Sequence, residues 1–244
     1  MPITAEVLAK LAKFDSPTIS NVIELFDVRP RTAGYMDGRI VAGFPELPTM
    51  VGYAATASFR TSAPAGQGDA YCTMQQQLET FASLPGPAVV VFQDLDDPPV
   101  AATFGEVMCS TYKAFGSAGL ITSGAGRDLL QVKALGYPVF TGSTIVSHGY
   151  CHILHLGLPV HVGGLVVRQG DLLHGDANGV TSVPTEIAAE VADVATEYVA
   201  AERFVLDYVS GSGKCTVPGF TARLEELVAA IDELRKRVGR VGRR

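Results

Sequence analysis

The stretch that most constrains this chain runs from Phe104 to Asp128, F-G-E-V-M-C-S-T-Y-K-A-F-G-S-A-G-L-I-T-S-G-A-G-R-D. Its periods read as helix, turn, short strand, Gly-rich turn and the start of a second helix. Gly105 precedes a segment in which Met108, Tyr112 and Phe115 share one helical face. Gly116 and Gly119 close that helix, and Leu120-Ile121-Thr122 reads as a buried strand. Gly124-Ala125-Gly126 is a turn that only small residues tolerate, and Arg127-Asp128 follows it. Leu129 and Val132 then begin a short helix that Gly136 and Pro138 terminate.

In a compact α/β fold the two helix N-termini of this unit can face one cleft. Free N–H groups at such ends attract anions, each by about 0.3–1 kcal/mol when exposed. Arg127 adds a planar fork suited to a carboxylate or enolate. Glu106 and Asp128 add hard oxygen ligands, which suit Mg²⁺ or Mn²⁺. Together these groups fit a metal-bound 2-oxo acid. By spacing alone, a helix cap and surface ion pair at Arg127-Asp128 remains open.

The flanking sequence extends the same pattern. Thr4 to Phe14 reads as a helix with Val7, Leu8 and Leu11 inward, and Ser16-Pro17 as the cap and first turn of another ending near Phe26. Residues 29–50 are irregular or form short strands. Residues 51–57 are a strand of small residues, Asp69 opens a helix to about Leu84, and Ala88 to Phe92 is an unbroken apolar run expected of a central strand. Asp94, Asp96 and Asp97, followed by Pro98-Pro99, read as a solvated acidic turn.

His148, His152 and His155 invite a zinc site. In strand geometry, however, His155 faces away from the other two, so three ligands do not converge. Leu158 to Pro184 is rich in short strands and turns. Thr185 caps a long helix with Ile187, Val191, Val194 and Tyr198 on one stripe, which Ser210 to Gly213 end. A last helix carries Phe220, Leu224, Leu227, Ile231 and Leu234, and the basic tail after it is expected to fray.

At 244 residues the chain buries enough surface to fold without disulfides. Its net charge of −6 argues against nucleic acid as a partner. Cys72, Cys109, Cys151 and Cys215 form no C-x-x-C pair and are expected as reduced thiols. No apolar run approaches the roughly 20 residues that span a bilayer, and no basic-then-apolar leader opens the sequence, so a cytoplasmic protein without a membrane partner is expected. No internal repeat or low-complexity linker divides it. One domain is therefore expected over 1–244, with a core at about 16–184 and a helical extension over 185–244.

From roughly Ser16 to Pro184 the order of signals resembles the RraA-like superfamily, which includes the 4-hydroxy-4-methyl-2-oxoglutarate/4-carboxy-4-hydroxy-2-oxoadipate aldolases. The matching pieces are Gly105–Met108, Gly124–Asp128, Pro138–Phe140, Pro159–Asp171 and Asp176–Pro184. Within them stand an acid, twenty residues, then Arg-Asp: Glu106, then Arg127 and Asp128. That is the pattern of the family's aldolases.

The resemblance implies an α/β fold of the swivelling β/β/α sandwich type with N- and C-terminal helices. It also implies a homotrimer or homohexamer with sites between subunits, and a divalent metal, usually Mg²⁺. Asp128 would be the metal ligand, and Glu106 would hold a water. Arg127 would contact the pyruvyl oxygen, and the amides of Gly105, Glu106, Val107 and Met108 would cradle the substrate carboxylate. The implied reaction is retro-aldol release of pyruvate from a 2-oxo acid, with oxaloacetate decarboxylation as a side activity. An acid from a neighbouring subunit's C-terminal part also belongs to the family pattern, and Glu202, with Glu197 near it, lies in that region.

Gly126 departs from the family's branched residue before Arg-Asp, which predicts a looser turn. Two rival functions stand beside the aldolase. Members of the superfamily that inhibit an endoribonuclease lack the carboxylate at the position of Glu106, so its presence favours an enzyme. The Ser147-His148-Gly149 stretch suggests a phosphohistidine domain, but no Gly-rich nucleotide loop accompanies it.

Overall fold

Apolar runs without polar alternation form the centre of the molecule, as strands covered on both faces must. The computed structural model describes residues 3–240. The chain opens with α1 (Ala5–Leu11), α2 (Ser16–Phe26), β1 (Val41–Ala42), β2 (Met50–Arg60), α3 (Met74–Phe81) and β3 (Ala88–Asp94). Next come β4 (Ala102–Phe104), α4 (Glu106–Ala114), β5 (Ser117–Thr122), β6 (Ala125–Gly126), α5 (Leu129–Ala134), β7 (Val139–Thr141) and β8 (Ser143–Thr144). The remainder is β9 (His152–Leu156), β10 (Val160–Val162), β11 (Leu165–Val167), β12 (Leu172–Asp176), β13 (Gly179–Val183), α6 (Ala188–Ser210) and α7 (Val217–Val238).

The main sheet runs β1-β7-β5-β3-β2-β12-β13, with β9 also on β2. Its middle, β2, β3, β5 and β7, is parallel, and β12, β13, β1 and β9 join antiparallel. Alternate side chains of the central strands enter two cores. Val89, Val91, Ile121 and Phe140 pack toward the β10–β11 hairpin. Val90, Phe92, Leu120 and Val139 pack toward α4 and α5 with Cys109, Tyr112 and Val132. A third core joins α1, α2, α6 and α7 to Val51, Tyr53, Leu172 and Val183. This is a swivelling β/β/α sandwich with a nearly closed, barrel-like sheet and helices at both ends. No helix of the described residues is long and apolar enough to cross a membrane.

Local chemistry moves several expected boundaries. The cap of α2 is Asp15, which accepts from Thr18 N–H at 2.8 Å, because the Ser16 hydroxyl is engaged at 2.9 Å with buried His174. Helix α3 starts at Met74 rather than Asp69: Thr73 and Gln76 form a capping box, whereas Asp69 turns to Tyr71 and Gly66. On α4 the inward face is Cys109 and Tyr112, while Phe115 is the C-cap and 63% exposed. Gly116, at φ 84°, ends that helix, but Gly119 lies inside β5, where Met50 leaves no room for a Cβ.

Thr185 does not cap α6, which begins at Ala188 behind Ile187 without a side-chain cap. The basic tail is tied down as far as Arg240, which pairs with Glu190 and lies over the Phe26 ring at 5.5 Å. The expectation for 241–244 falls outside the described residues.

Candidate active site

Three short strands place the site. β4, β6 and β8 form a parallel sheet in which Phe104 pairs with Gly126 and Gly126 with Thr144. Parallel neighbours in register end at the same edge. The residues that follow β4 and β6, Gly105-Glu106 and Arg127-Asp128, are therefore brought side by side, with Arg127 N–H donating to Phe104 C=O at 3.1 Å.

Gly105 is the N-cap of α4 and supplies no side-chain cap. The cap comes from across the sheet: Glu106 N–H donates to Asp128 Oδ2 at 3.0 Å. A carboxylate at a helix N-terminus is stabilised there by the free amides and the helix dipole. A Cβ on Gly105 would stand 2.6 Å from Asp128 Oδ2 and 3.1 Å from Arg127 Nε, so the close approach requires glycine. Arg127 Nε is 3.7 Å from the same Oδ2, and both side chains are about one-third exposed, which leaves them reachable by a ligand. Asp128 itself adopts the left-handed region at φ 55°, which turns its carboxylate away from α5 and toward α4.

Gly126 is not a loose turn. It lies buried in β6, and the Phe104 ring occupies the volume that a side chain there would need. Arg127 is held by its backbone bond to Phe104 C=O and, at the preceding residue, by the packing of Gly126 against the Phe104 ring. Val107 and Met108 continue the first turn of α4, Val107 exposed and Met108 half-buried.

Two cysteines feel the charges of the pair, Cys109 from within the Phe104–Asp128 stretch and Cys151 from a segment distant in sequence. Cys109, fully buried, has its thiol pushed up to about 12 by burial, with the Asp128 charge adding to the effect. It stays protonated and inert. Cys151, on the turn before β9 at φ 47°, is raised by burial, and the positive charge of Arg127 partly offsets that.

Other candidates stand elsewhere. Glu202 is half-buried on α6, which packs on α1, α2 and α7, and its carboxyl is raised by burial and by the charge of Asp15. Within one chain it does not join Arg127. Glu197 is held by Arg237 in a two-bond pair at 2.5 and 3.0 Å. The histidines do not form a ligand set. His152 stacks on Tyr71 at 4.0 Å, His155 points outward from β9, and His148 precedes that strand. Among the described residues no three His, Cys, Asp or Glu side chains converge as a metal cage. Asp128 and Glu106 carry hard carboxylate oxygens, the donor type that fits a hydrated Mg²⁺ or Mn²⁺, which takes one or two carboxylates and completes its shell with water and substrate oxygens.

Comparison with known proteins places these observations. The family model RraA-like (Aldolase/RraA) matches residues 18–182. A protein of Halalkalibacterium halodurans named "Putative 4-hydroxy-4-methyl-2-oxoglutarate aldolase" is 35% identical over 105 residues, 43% of this chain and 49% of its own length. The chain thus matches only about half the length of that relative, and likewise 52% of an uncharacterized protein of Methanocaldococcus jannaschii at 28% identity.

Among solved structures, an uncharacterized protein from Pseudomonas syringae superposes with a TM-score of 0.71 at 22% identity, over 92% of this chain and 96% of its own. Streptomyces coelicolor RraAS2, described as an unusual member of the RNase ES inhibitor RraA family, gives 0.66 at 24%, over 84% and 97%. These two likenesses establish the fold, and the family model covers the segment that carries every strand of the parallel sheets. The chain belongs to the RraA-like family.

Proposed function

We propose that this protein is a divalent-metal-dependent aldolase that cleaves a 4-hydroxy-2-oxo diacid and releases pyruvate. The observation that carries the reading is the meeting of Asp128, Arg127 and the N-terminus of α4 around the side-chain-free Gly105, with Glu106 N–H 3.0 Å from Asp128 Oδ2. The aldolase name of the Halalkalibacterium relative supports the same chemistry.

Asp128 would hold Mg²⁺ or Mn²⁺, with Glu106 reaching it through water. When bound, that cation supplies Lewis-acid stabilisation of negative charge on the substrate's 2-oxo acid end, worth several kcal/mol. The chain's own groups do the rest. The first-turn amides of α4, from Gly105 to Met108, receive the substrate carboxylate, that of Glu106 once it leaves Asp128 Oδ2. Arg127 donates to the pyruvyl oxygen on which charge develops. Glu106, through a water, removes the proton from the C4 hydroxyl. As the C4–O bond becomes a carbonyl, the C3–C4 bond breaks and its electron pair passes into the pyruvyl enolate. Protonation at C3 then gives pyruvate, and the other product is a 2-oxo acid or its analogue. Loss of CO₂ from oxaloacetate yields the same enolate, so decarboxylation accompanies the aldol reaction. Glu202 from a neighbouring copy, in an assembly of three or six chains, would complete the distal side.

The test is pyruvate release from a panel of 4-hydroxy-2-oxo diacids with Mg²⁺ or Mn²⁺, followed by EDTA. Turnover should vanish with the chelator and return with metal, and Arg127→Ala should lower kcat by roughly 10²–10³, as loss of one oxyanion donor does. No pyruvate from any diacid, or an Arg127→Ala enzyme of normal activity, would remove the proposal. Inhibition of a ribonuclease by the inactive protein would replace it with a regulatory function.

A further inference from the structure

The two strands that carry the site do not match residue for residue. Ala102 of β4 stands opposite Ala125 of β6, and Phe104 opposite Gly126, so Thr103 is an extra residue on one strand, a bulge. Bulges are rare between parallel strands and leave the extra residue outside the ladder, so other bonds must hold it. This one decides the register of the site. Without it Phe104 would stand opposite Arg127, and Gly105 opposite Asp128. With it Phe104 meets Gly126, whose missing side chain leaves room for the ring. Gly105 then meets Arg127, and Glu106 meets Asp128, as the bond from Glu106 N–H to Asp128 Oδ2 records.

Thr103 is fully buried, and its hydroxyl makes the bonds that hold the bulge. Its Oγ1 lies 2.8 Å from Thr122 Oγ1, at the end of β5, and donates to Ala125 C=O at 3.1 Å. Thr122 is also fully buried, and its Oγ1 accepts from Gly124 N–H at 2.9 Å. Each hydroxyl has one proton to give, so a single assignment makes all three bonds. Gly124 N–H donates to Thr122, Thr122 O–H to Thr103, and Thr103 O–H to Ala125 C=O. The series leaves the turn before β6, passes through β5 and β4, and returns to β6.

Thr141, at the end of β7, donates to Gly124 C=O at 2.7 Å and holds the other side of the same turn. The turn packs closely on the bulge, since a Cβ on Gly124 would stand 2.6 Å from Thr103 Cγ2. Valine has nearly the shape of threonine, so filling this space does not require a hydroxyl. Tying the turn and β6 to β4 does.

We propose that Thr103, acting with Thr122, is a positioning residue of the candidate site: its hydroxyl locks the bulge that sets Gly105 against Arg127 and Glu106 against Asp128. Its effect on turnover rests on the aldolase reading, whereas its effect on the register does not.

The test is native-state amide hydrogen exchange, with steady-state kinetics, on Thr103→Val and Thr103→Ser. The first keeps the shape, loses both bonds and leaves the buried Thr122 O–H without its acceptor; the second keeps the hydroxyl. In Thr103→Val the amides of Glu106 and Arg127, which donate across the β4–β6 junction, should speed up at least about tenfold beyond any change at Ala54 and Leu120 in the main sheet. Its kcat should fall at least about tenfold with a smaller change in KM, because Arg127 no longer stands where the charge develops. Thr103→Ser should stay within about twofold of the parent in both measurements. Exchange that rises equally in the main sheet and the site, a parent-like kcat in Thr103→Val, or a Thr103→Ser protein as impaired as Thr103→Val would each overturn the proposal. A parent that releases no pyruvate removes the aldolase reading alone, and the exchange pattern then decides the proposal. Should Thr103→Val fail to fold, Thr122→Val, which takes away the donor to Thr103, is judged on the same amides by the same criteria.

Discussion

Asp128 Oδ2 caps a helix to which it does not belong: it accepts the Glu106 amide at 3.0 Å while standing at the N-cap of α5. One carboxylate thus joins two helix starts and holds the Arg127-Asp128 dipeptide against Gly105. The same oxygen is the one a metal ion would compete for, so its structural and chemical roles are separable by substitution.

Asp128→Asn keeps an acceptor for the Glu106 amide and loses the charge. It should melt within a few degrees of the parent while Mg²⁺ or Mn²⁺ affinity and pyruvate release disappear. Asp128→Ala loses the cap as well and should cost a further 0.5–2 kcal/mol or so in a denaturant titration. An Asn variant that binds metal as the parent does would show that the ligand lies elsewhere.

Much of this arrangement was legible in the sequence, because it rests on local signals. The apolar run Ala88–Phe92 is the centre of β3, and Leu120–Thr122 does lie in a buried strand, bounded by Gly116 and Gly124 rather than by Gly119. Glu106 and Asp128, which the family pattern singles out, meet in space through the Glu106 backbone amide. What sequence concealed depends on distant partners. Thr73 competes with Asp69 for the start of α3 through Gln76. Asp94 looks like surface until β5 and Gly124 close over it. Gly126 reads as slack until the Phe104 ring, from the neighbouring strand β4, fills its place. Cys151 has no sequence signal linking it to Arg127.

Gly126→Val restores the branched residue of the family pattern and should be destabilising here. The new side chain enters the space held by the Phe104 ring, in a strand buried on both sides. Overpacking of this kind costs about 1–3 kcal/mol. Adding Phe104→Leu makes room, so the double variant should recover part of the loss, and a double-mutant cycle on urea midpoints measures the coupling. Additive effects would mean that ring and glycine do not share the volume.

His174 sets an acid limit on stability. The ring is fully buried, Nδ1 lies 2.9 Å from Ser16 Oγ, and Nε2 lies 3.1 Å from Leu11 C=O. Burial lowers its affinity for a proton below the ordinary value of 6.5. The unfolded chain therefore takes up a proton that the folded one refuses, and stability falls as pH drops below about 6.5. His174→Gln should start lower at pH 7.5, for the lost hydrogen bonds, and lose less on going to pH 5.5. Parallel curves for the two proteins would assign the acid limit to another group.

Asp94 gives a slope of the opposite sign. Its carboxyl is raised by burial from 3.8 to about 6, so between those values the folded chain holds a proton that the unfolded chain has released. Stability should fall as pH rises through that window and stay reduced above it. The loss approaches about 3 kcal/mol, because each tenfold change in proton affinity is worth roughly 1.4 kcal/mol. Because the His174 effect overlaps it, the informative quantity is the difference between parent and Asp94→Asn across pH 4 to 8. That difference should grow in favour of Asn up to about pH 6 and then level, since the amide has no charge to bury. A difference independent of pH would mean that Asp94 reaches solvent and ionises freely.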